Sequence, residues 1–367
     1  MKLFDVGLDV RMFRHTGIGT YLRGLVGGMG TGDRGNGLRL GLFGDPGHFG
    51  AHSQFPLERF TTKIYSVAEQ WRYPGCLRKC RLWHSPHYNI PVLPSKTKLV
   101  VTIHDLIHFI FQAELRSPAK AAYARFMLRR AVRRAHHIIA VSRHTRDDCV
   151  RLLGADPEKI TVIYEAVAGD LYSRGYGLSG SRKQDGPPYF LYVGLLKPHK
   201  QVHRLLRNFR QLRAEGKIRA ELVIVGRKDR AYASEYRELA QLQDGKEGVR
   251  YFSHLPDEEL LRYYQGALAL IHPSRYEGFG LTLLEGMAAH IPVLCSRAAS
   301  LPEVAGDAAL WFSPDSDPEM QAAMVRIERD GALRQELIAK GAERVKQFDW
   351  ESAAQKTLTV YRKVLES

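Results

Sequence analysis

Two glutamates in the second half of the sequence flank a loop with two glycines, and their spacing suits the binding of one polar ligand. Seven residues separate Glu277 from Glu285, and an apolar run over residues 267–271 precedes them. The run predicts a short buried strand, and helical spacing resumes over residues 281–289. Glu277 is expected in the loop after the strand and Glu285 in the second turn of the helix, so that both face one ligand.

The chemistry that this arrangement favours is the binding of a diol and a phosphate. Glu285 stands in an apolar helix, where a carboxylate is costly unless a group such as a ribose diol hydrogen-bonds to it. The backbone N–H groups of Gly280 and Leu281, at the helix start, have no partner within the helix and can donate to phosphate oxygens. An alternative is that Glu285 forms a salt bridge with a core arginine.

A lysine in another loop offers the positive charge that a diphosphate requires. The apolar residues 189–193 predict a buried strand, Gly194 follows, and Lys200 comes just before a predicted helix. A lysine ammonium is a compact point charge, which suits a diphosphate beside a glycine-containing loop. Lys197 and Arg227 are further cations in loops of this half.

A glycine turn near the amino terminus has the same strand, loop and helix order. Apolar residues 3–8 predict a strand, Gly17 and Gly19 follow, and a helix is expected to begin near Gly19. Small residues and the positive end of a helix dipole favour a nearby anion. The turn is not a dinucleotide fingerprint, because Leu22 occupies the third glycine position. A simple tight turn remains the alternative.

A histidine and an aspartate follow a further predicted strand. Residues 98–103 are a β-branched, apolar run, and His104 and Asp105 come directly after it. In doubly wound folds the carboxyl ends of parallel strands form the ligand-binding edge. His104 is therefore a candidate for contact with a reacting group, and a structural histidine is the alternative.

Strands alternate with helices along the whole sequence, which predicts two doubly wound, parallel-sheet α/β domains. The run from 171 to 188 is rich in Gly, Ser and charge and ends in two prolines, so we interpret it as a linker. The predicted domains are residues 1–170 and 189–345. Residues 346–367 are expected to form a carboxyl-terminal helix that crosses back to the first domain.

Composition indicates a globular protein. Hydrophobic residues make up 44% and charged residues 25% of the 367 residues, and no apolar run approaches the ~18 residues of a membrane-spanning helix. The first residues lack the apolar core of a signal peptide, so we expect a cytoplasmic location. Four cysteines are too few for a disulfide framework in a chain of this length.

Two short patterns imitate metal sites, and we favour a structural explanation for each, so no metal is predicted. The first combines Cys76 and Cys80 with downstream histidines, but a cationic Arg-Lys pair lies between the cysteines. The second is Asp315-Ser-Asp317, in which Pro318 suggests that Asp317 is a helix N-cap.

The formal net charge of +15 points to an anionic partner. Nine cations and no acidic residue occur from Arg116 to Arg146, with apolar residues at helical spacing among them. This basic amphipathic segment is equally compatible with a helix docked on the sheet and with contact to an anionic membrane surface. No nucleic-acid-binding motif accompanies the charge, so nucleic acid is not predicted as a partner.

The segment around the two glutamates resembles the signature of family-4 retaining glycosyltransferases, which have the GT-B fold of two Rossmann-like domains facing across a cleft. The matching features are the Glu-x7-Glu spacing, the enclosed Gly-Phe-Gly, the preceding Pro-Ser and the following Glu-Gly-Met-Ala. The match continues through residues 291–296 and 300–307. It is strongest over residues 189–307 and covers nearly the whole chain.

The resemblance implies roles for individual residues. Glu285 would bind the nucleotide ribose, Glu277 the donor sugar, and the Gly19 amide and Lys200 the diphosphate, while His104 would contact the transferred sugar. We therefore predict His104, Glu277 and Lys200 as catalytic residues. The predicted donor-binding residues are Gly17, Gly19, Gly194, Lys200, Arg227, His254, Leu255, Glu277, Gly278, Phe279, Gly280, Leu281 and Glu285. The arginine usual near the diphosphate is absent, since His199 precedes Lys200, and Lys197 or Arg227 is the expected substitute.

The implied function is retaining transfer of a hexose, such as mannose or glucose, from a GDP- or UDP-linked donor without a metal or other cofactor. The implied acceptor is a saccharide, free or linked to polyprenyl diphosphate, in bacterial surface polysaccharide assembly at the inner face of the cell membrane. Two alternatives stay open at this point. One is a sugar-nucleotide epimerase or hydrolase of the same fold, and the other is a non-catalytic protein that binds membranes or nucleic acid.

Overall fold

The chain is described by a computed structural model over residues 3–31, 37–49, 54–111, 117–167, 186–228, 239 and 246–367. It divides into two compact units. Unit 1 comprises Met1–Ala166 and Phe348–Ser367, and unit 2 comprises Val167–Gln347. Most of the predicted linker, residues 171–185, lies outside the described residues, as does Arg116 of the basic segment.

Unit 1 is built on a parallel sheet of seven strands in the order β3-β2-β1-β4-β5-β6-β7. Its strands are β1 (Phe4–Asp9), β2 (Leu40–Gly44), β3 (Leu57–Arg59), β4 (Cys80–Ser85), β5 (Lys98–Ile103), β6 (His137–Ala140) and β7 (Ile160–Val162). Its described helices are α1 (Ile18–Thr31), α2 (Val67–Leu77), α3 (Ile107–Ile110), α4 (Pro118–Arg134), α5 (Arg143–Leu153) and, from the end of the chain, α12 (Trp350–Glu366).

Unit 2 contains a parallel sheet of six strands in the order β10-β9-β8-β11-β12-β13. Its strands are β8 (Tyr189–Val193), β9 (Glu221–Val225), β10 (Val249–Phe252), β11 (Ala269–His272), β12 (Val293–Ser296) and β13 (Ala309–Phe312). Its described helices are α6 (Val202–Ala214), α7 (Asp257–Gly266), α8 (Leu281–Ala288), α9 (Leu301–Ala305), α10 (Asp317–Arg329) and α11 (Gly331–Val345).

The strand order places the predicted site loops together at one edge of each sheet. The order reverses between β1 and β4 in unit 1 and between β8 and β11 in unit 2, and ligands of such sheets bind beyond the carboxyl ends of the strands at this point. The loops after β8 and β11 carry Lys200 and Glu277. The loops after β1 and β5 carry Gly17 and His104.

Burial explains why these segments form a parallel sheet. All residues of β1 and β11 are buried, as expected for strands covered by helices on both faces. In unit 1, α12 packs so closely against α1 that a Cβ atom on Gly24 would lie only 2.0 Å from the Trp350 ring. The small residue in α1 therefore permits the large indole to be buried.

The basic helix α4 packs on the sheet of unit 1. Met127 and Ala131 are buried in its core, whereas Tyr123 and Phe126, which the sequence groups with them, are 38% and 55% exposed. Within the described residues, no helix is both long enough and apolar enough to cross a bilayer.

Candidate functional site

A lysine and a glutamate from neighbouring strands form the centre of the site in unit 2. Lys200 ends the short 3₁₀ turn Pro198–Lys200 after β8, and Glu277 lies in the loop after β11. The Lys200 Nζ and Glu277 Oε1 atoms are 2.5 Å apart. Both side chains are largely buried, so the ion pair is weakly screened by water. The structure thus brings together two of the predicted residues.

A histidine completes the environment of Glu277. The His272 Nε2 atom lies 2.8 Å from the same Oε1 atom. Burial opposes ionisation of Glu277, but Lys200 and His272 outweigh it and lower the pKa of the carboxyl group. Within the described residues, Oε2 of Glu277 accepts no hydrogen bond. One oxygen is therefore fixed by the protein, and the other remains able to accept a hydrogen bond from a ligand hydroxyl.

Buried hydroxyl groups hold the loop that carries Glu277. The Ser300 hydroxyl donates to the carbonyl oxygens of Glu277, at 2.9 Å, and Phe279, at 2.7 Å, while Ser296 donates to the carbonyl of Ser274. These serines are almost completely buried. The loop backbone is thus hydrogen-bonded inside the protein, as a buried irregular segment must be.

The two site loops are also bonded to each other. The carbonyl oxygen of His199, the residue before Lys200, accepts a hydrogen bond of 2.8 Å from the Arg275 amide. The Ser274 hydroxyl lies 3.4 Å from the same oxygen. Lys200 and Glu277 are therefore positioned by backbone contacts as well as by their own ion pair.

The second glutamate occupies a different environment. Glu285 lies in the second turn of α8, and its Oε2 atom accepts a hydrogen bond of 2.6 Å from the hydroxyl of the fully buried Tyr264. Burial raises the pKa of Glu285, the Tyr264 hydrogen bond opposes the rise, and Asp257 adds to it. Within the described residues, no arginine forms an ion pair with Glu285, so the alternative of a core salt bridge finds no support in this part of the chain.

The remaining predicted residues of unit 2 lie at the same carboxyl edge. Gly194 directly follows β8, and a Cβ atom on Gly226 would lie 1.8 Å from its carbonyl oxygen, so only glycine permits the close approach of the two loops. Arg227 follows Gly226 and is exposed. His254 is exposed and Leu255 is buried in the loop after β10.

The amides predicted to bind phosphate lie at the start of α8. Gly278 and Phe279 are buried within the loop, and Gly280 adopts a left-handed conformation, with φ of +110°, immediately before the first helical residue, Leu281. The Gly280 carbonyl accepts a hydrogen bond from the Leu283 amide. The predicted loop-to-helix transition is thus found at the expected residues.

In unit 1 the glycine turn leads into α1 as predicted. Gly17 has φ of +71° and its carbonyl oxygen accepts a hydrogen bond of 3.0 Å from the Tyr21 amide. Gly19 lies buried in the first turn of the helix. Both belong to unit 1, whereas Lys200, Glu277 and Glu285 belong to unit 2. A shared contact with one diphosphate stays a prediction.

His104 is held between two oxygen atoms at the end of β5. Its Nδ1 atom lies 2.9 Å from Oε1 of Glu165, and its Nε2 atom lies 3.0 Å from the carbonyl oxygen of Pro86. The Tyr21 ring contacts it edge-on, with ring centroids 4.9 Å apart. A ligand hydroxyl that bonds to Nε2 must therefore displace or share the Pro86 carbonyl.

A buried polar chain lies beneath His104. The Tyr21 hydroxyl is 2.9 Å from Thr102 Oγ1, which is 2.8 Å from His84 Nε2, and His84 Nδ1 is 2.6 Å from the Tyr361 hydroxyl of α12. Burial, and to a smaller extent the nearby His104, lower the pKa of His84 to about 3. His84 is thus a neutral structural residue at physiological pH.

The two patterns that imitate metal sites have structural explanations. Both ring nitrogens of His84 are occupied by Thr102 and Tyr361, and the Cys80 thiol faces backbone carbonyls. In the part of the chain that the structure describes, no group of three or more His, Cys, Asp or Glu side chains could hold a metal ion.

The prediction that Asp317 is an N-cap is wrong. Ser316 caps α10 by accepting a hydrogen bond from the Glu319 amide, and Asp317 is the first helical residue. The Asp317 carboxylate instead forms ion pairs with Arg204, at 2.5 Å, and Arg207, at 2.8 Å. This acidic side chain is therefore used to join α10 to α6.

Sequence reasoning missed three partners of the predicted residues: His272, Tyr264 and Glu165. His272 has a recognisable signal, because it is a polar residue at the carboxyl end of a buried strand. The other two become visible only when elements distant in the sequence are packed together.

Comparison with known proteins finds a matching family for each unit. Residues 17–169 match the family described as Glycosyltransferase Family 4, and residues 179–344 match Glycosyl transferases group 1. The O-antigen chain mannosyltransferase B of Escherichia coli is 30% identical over 307 residues, which span 82% of this chain and 79% of that protein.

Solved structures share the fold. Sucrose-phosphate synthase from Thermosynechococcus elongatus matches with a TM-score of 0.74 and 19% identity, over 98% of this chain and 99% of that one. Anabaena HepE in complex with UDP and glucose matches with a TM-score of 0.72 and 19% identity, over 99% of this chain and 100% of that one. The predicted fold class and family resemblance are confirmed: the chain belongs to the family-4, group 1 glycosyltransferases and has their GT-B fold.

Proposed function

We propose that this glycosyltransferase moves a hexose, with mannose the first candidate, from a nucleoside diphosphate sugar to a saccharide acceptor in bacterial O-antigen or related surface polysaccharide assembly. The observation that carries the proposal is the Lys200–Glu277–His272 cluster, in which one carboxylate oxygen is fixed and the other accepts no hydrogen bond from the residues that the structure describes. The name of the Escherichia coli relative supports mannose and the O-antigen setting.

The cluster suits both the diphosphate and the sugar of the donor. In this proposal the Lys200 ammonium turns from Glu277 towards the departing diphosphate, with Arg227 and the amides at the start of α8 as further donors. The charge that develops on the leaving group is then stabilised by groups already in place. Glu277 accepts hydrogen bonds from sugar hydroxyls, and Glu285 accepts from the ribose. We propose that this transfer proceeds without a metal ion.

GDP and UDP are both candidates for the donor nucleotide. Mannose transfer in the relative favours a GDP-linked sugar, whereas the HepE structure contains UDP. The predicted base contacts, His254 and Leu255, act through their backbone and do not distinguish between the two. Retention of the anomeric configuration belongs to the proposal through the family resemblance.

A panel of nucleotide sugars tests the proposal. GDP-mannose, UDP-glucose and UDP-galactose are each added to the full chain and the melting temperature is measured, since a ligand that binds only the folded state raises it. We expect one donor to stabilise wild-type protein and to stabilise Lys200→Met much less. Stabilisation that is equal in both proteins, or absent for every donor, contradicts the site assignment.

The reaction type is tested with the stabilising donor and an α-mannoside acceptor. We expect an added hexose in the product, an α-anomer by NMR, and the same rate with EDTA present. Donor consumption that is equally fast without acceptor would instead indicate the hydrolase or epimerase alternative, which the matched relatives do not favour.

We further propose that α4 contacts the inner face of an anionic membrane, where a polyprenyl-linked acceptor would reside. The solvent-facing side of α4 carries Phe126 with Arg129 and Arg133, and a groove of about 550 Å³ runs along these side chains. An exposed aromatic residue among arginines suits the boundary between headgroups and acyl chains. Arg130 and Arg134 instead donate to the Val92 carbonyl and are needed for packing.

Vesicle binding tests this contact. The double variant Arg129→Glu and Arg133→Glu is compared with Arg262→Glu and Arg326→Glu, which changes the net charge equally on exposed residues of unit 2. On phosphatidylglycerol vesicles at low salt we expect only the α4 variant to lose binding, with turnover of a water-soluble acceptor retained in both. Equal loss in the two variants would point to net charge, and no loss would leave α4 without a membrane role.

A further inference from the structure

An exposed tyrosine in unit 1 has a strained backbone. Tyr65 has φ of +66°, in the left-handed region that residues other than glycine rarely adopt, and its side chain is 49% exposed. A surface residue without a function is not expected to combine these features. The left-handed conformation costs free energy, and the half-exposed ring gains little from burial to offset that cost. Such strain persists only where the surrounding structure imposes it, and it is concentrated at functional sites.

A buried charge cluster imposes the conformation of Tyr65. Its backbone amide donates a hydrogen bond of 2.9 Å to Oε2 of Glu69, a residue with no exposed surface. Oε1 of Glu69 accepts from Arg11 at 2.7 Å, and Arg11 also forms an ion pair with Asp9 at the end of β1. Buried charges need well-formed partners, so this cluster is rigid and determines where the residue 65 backbone lies.

The same carboxylate orients a second exposed tyrosine. Asn89 donates to Oε2 of Glu69 at 2.8 Å, and its Oδ1 atom accepts a hydrogen bond of 2.6 Å from the hydroxyl of Tyr123 on α4. Tyr65 and Tyr123 are thus both fixed by one buried group. Their ring centroids are 6.1 Å apart and their planes meet at 85°.

A histidine extends the pair of rings towards His104. The His87 ring lies 5.8 Å from that of Tyr65 with an interplanar angle of 77°, and the Tyr65 hydroxyl is 3.4 Å from the His87 ring nitrogens. His87 directly follows Pro86, whose carbonyl oxygen is bonded to His104. The three rings therefore lie at the carboxyl edge of unit 1, next to the histidine predicted to meet the transferred sugar.

We propose that Tyr65, His87 and Tyr123 form a carbohydrate-binding subsite that holds a pyranose ring of the acceptor. The C–H face of a pyranose packs on aromatic rings, and its hydroxyls bond to polar groups at the rim, here the Tyr65 hydroxyl and the His87 ring. Rings that meet nearly at right angles suit a puckered sugar better than a flat nucleobase, which stacks between parallel faces. The inference rests on the proposed transfer to a saccharide and names the residues that recognise it.

Direct saccharide binding tests the subsite without requiring transfer. Methyl α-D-mannopyranoside, its gluco and galacto analogues and an α-linked mannotriose are titrated into the full chain, and binding is followed by saturation-transfer difference NMR. We expect at least one to bind, with a dissociation constant about tenfold higher in Tyr65→Ala and in Tyr123→Leu. Tyr65→Phe, which keeps the ring, should lose less. No binding of any saccharide to wild-type protein overturns the proposal.

Trp71 provides the matched control. This exposed aromatic residue of α2 is 75% exposed and forms no ring contact with the described residues, so Trp71→Ala should bind saccharide as wild-type protein does. The proposal is also overturned if Tyr65→Ala and Tyr123→Leu both bind like wild-type protein, or if Trp71→Ala weakens binding equally. Far-UV circular dichroism and donor-induced stabilisation verify that each variant is folded. Failure of donor transfer with intact saccharide binding would contradict the proposed function and leave the subsite in place.

Discussion

The carboxyl edges of the two sheets have the same topology but opposite chemistry. In unit 2 the edge carries Lys200 and Glu277, charged groups that retain capacity to bond to a ligand. In unit 1 the edge carries Arg11 and Glu69, charged groups that satisfy one another below the surface, and the two tyrosines that Glu69 orients, Tyr65 and Tyr123, are exposed. In our proposal this difference separates two tasks: the charged groups of unit 2 bind the diphosphate, and the tyrosines of unit 1 contact the uncharged, largely apolar face of a sugar.

The largest expected effect concerns the charged edge. In Lys200→Met, buried Glu277 loses its cation and, in the proposed mechanism, the diphosphate loses a contact. We expect transfer to fall about 1,000-fold and the free energy of unfolding to fall by about 3 kcal/mol. Steady-state kinetics and urea denaturation measure the two effects.

The double variant Lys200→Met with Glu277→Gln separates these effects. Removing both charges should restore most of the stability, because no unpaired charge stays buried, while transfer stays low. If the single variant is as stable as wild-type protein, or if the double variant regains transfer, the ion pair is not the centre of the site.

A smaller effect distinguishes the two glutamates by pH. The pKa of Glu277 is lowered, so its contribution to stability is present above the ordinary value of 4.5 and is lost as the pH falls below it. The pKa of Glu285 is raised, so its ionisation costs stability as the pH rises above 4.5. Glu285→Gln should therefore stabilise the protein at pH 8 relative to wild type, with less difference at pH 4.

The same variant reports on function. Loss of the carboxylate should weaken nucleotide binding about tenfold, because the proposed charge-assisted hydrogen bond to the ribose becomes a neutral one. Isothermal titration with GDP and UDP measures this change. A stabilised protein with unchanged nucleotide affinity would show that Glu285 has no part in the binding of the ribose.

The smallest expected effect is in unit 1. Tyr361→Phe leaves the buried Nδ1 atom of His84 without its partner, which should cost about 1–2 kcal/mol of stability and leave donor affinity unchanged. Thr359→Ala, at an exposed position of the same helix, is the control and should be neutral. A loss of donor affinity in Tyr361→Phe would contradict the assignment of donor binding to the edge of unit 2 alone.

Much of the fold could be predicted because buried parallel strands are continuous apolar runs. The strands Lys98–Ile103 and Tyr189–Val193 begin and end at the predicted residues. β3 was missed because it is an edge strand of three residues, Leu57–Arg59, with little apolar character. The helical pattern of α4 was found, but which of its apolar residues are buried depends on the sheet beneath.

The site was predictable where chemistry is local in the sequence and not where it depends on packing. Glu277 and Glu285 lie within one loop and helix, so their spacing carried information. The pairing of Arg11 with Glu69, 58 residues away, follows from the adjacency of β1 and β4 and has no local signal. The same is true of the hydrogen bond from Tyr264 to Glu285.

The interrupted course of unit 1 has a consequence for biosynthesis. Unit 2 is one uninterrupted stretch, Val167–Gln347. Unit 1, in contrast, obtains Trp350 and Tyr361 from Phe348–Ser367, which follows unit 2 in the sequence. On a translating ribosome, the later unit can thus complete its fold before the earlier one. Until α12 emerges from the ribosome, the surface of α1 around Gly24 is uncovered and His84 lacks its hydrogen-bond partner Tyr361. Unit 1 therefore completes its core only after α12 has been synthesised.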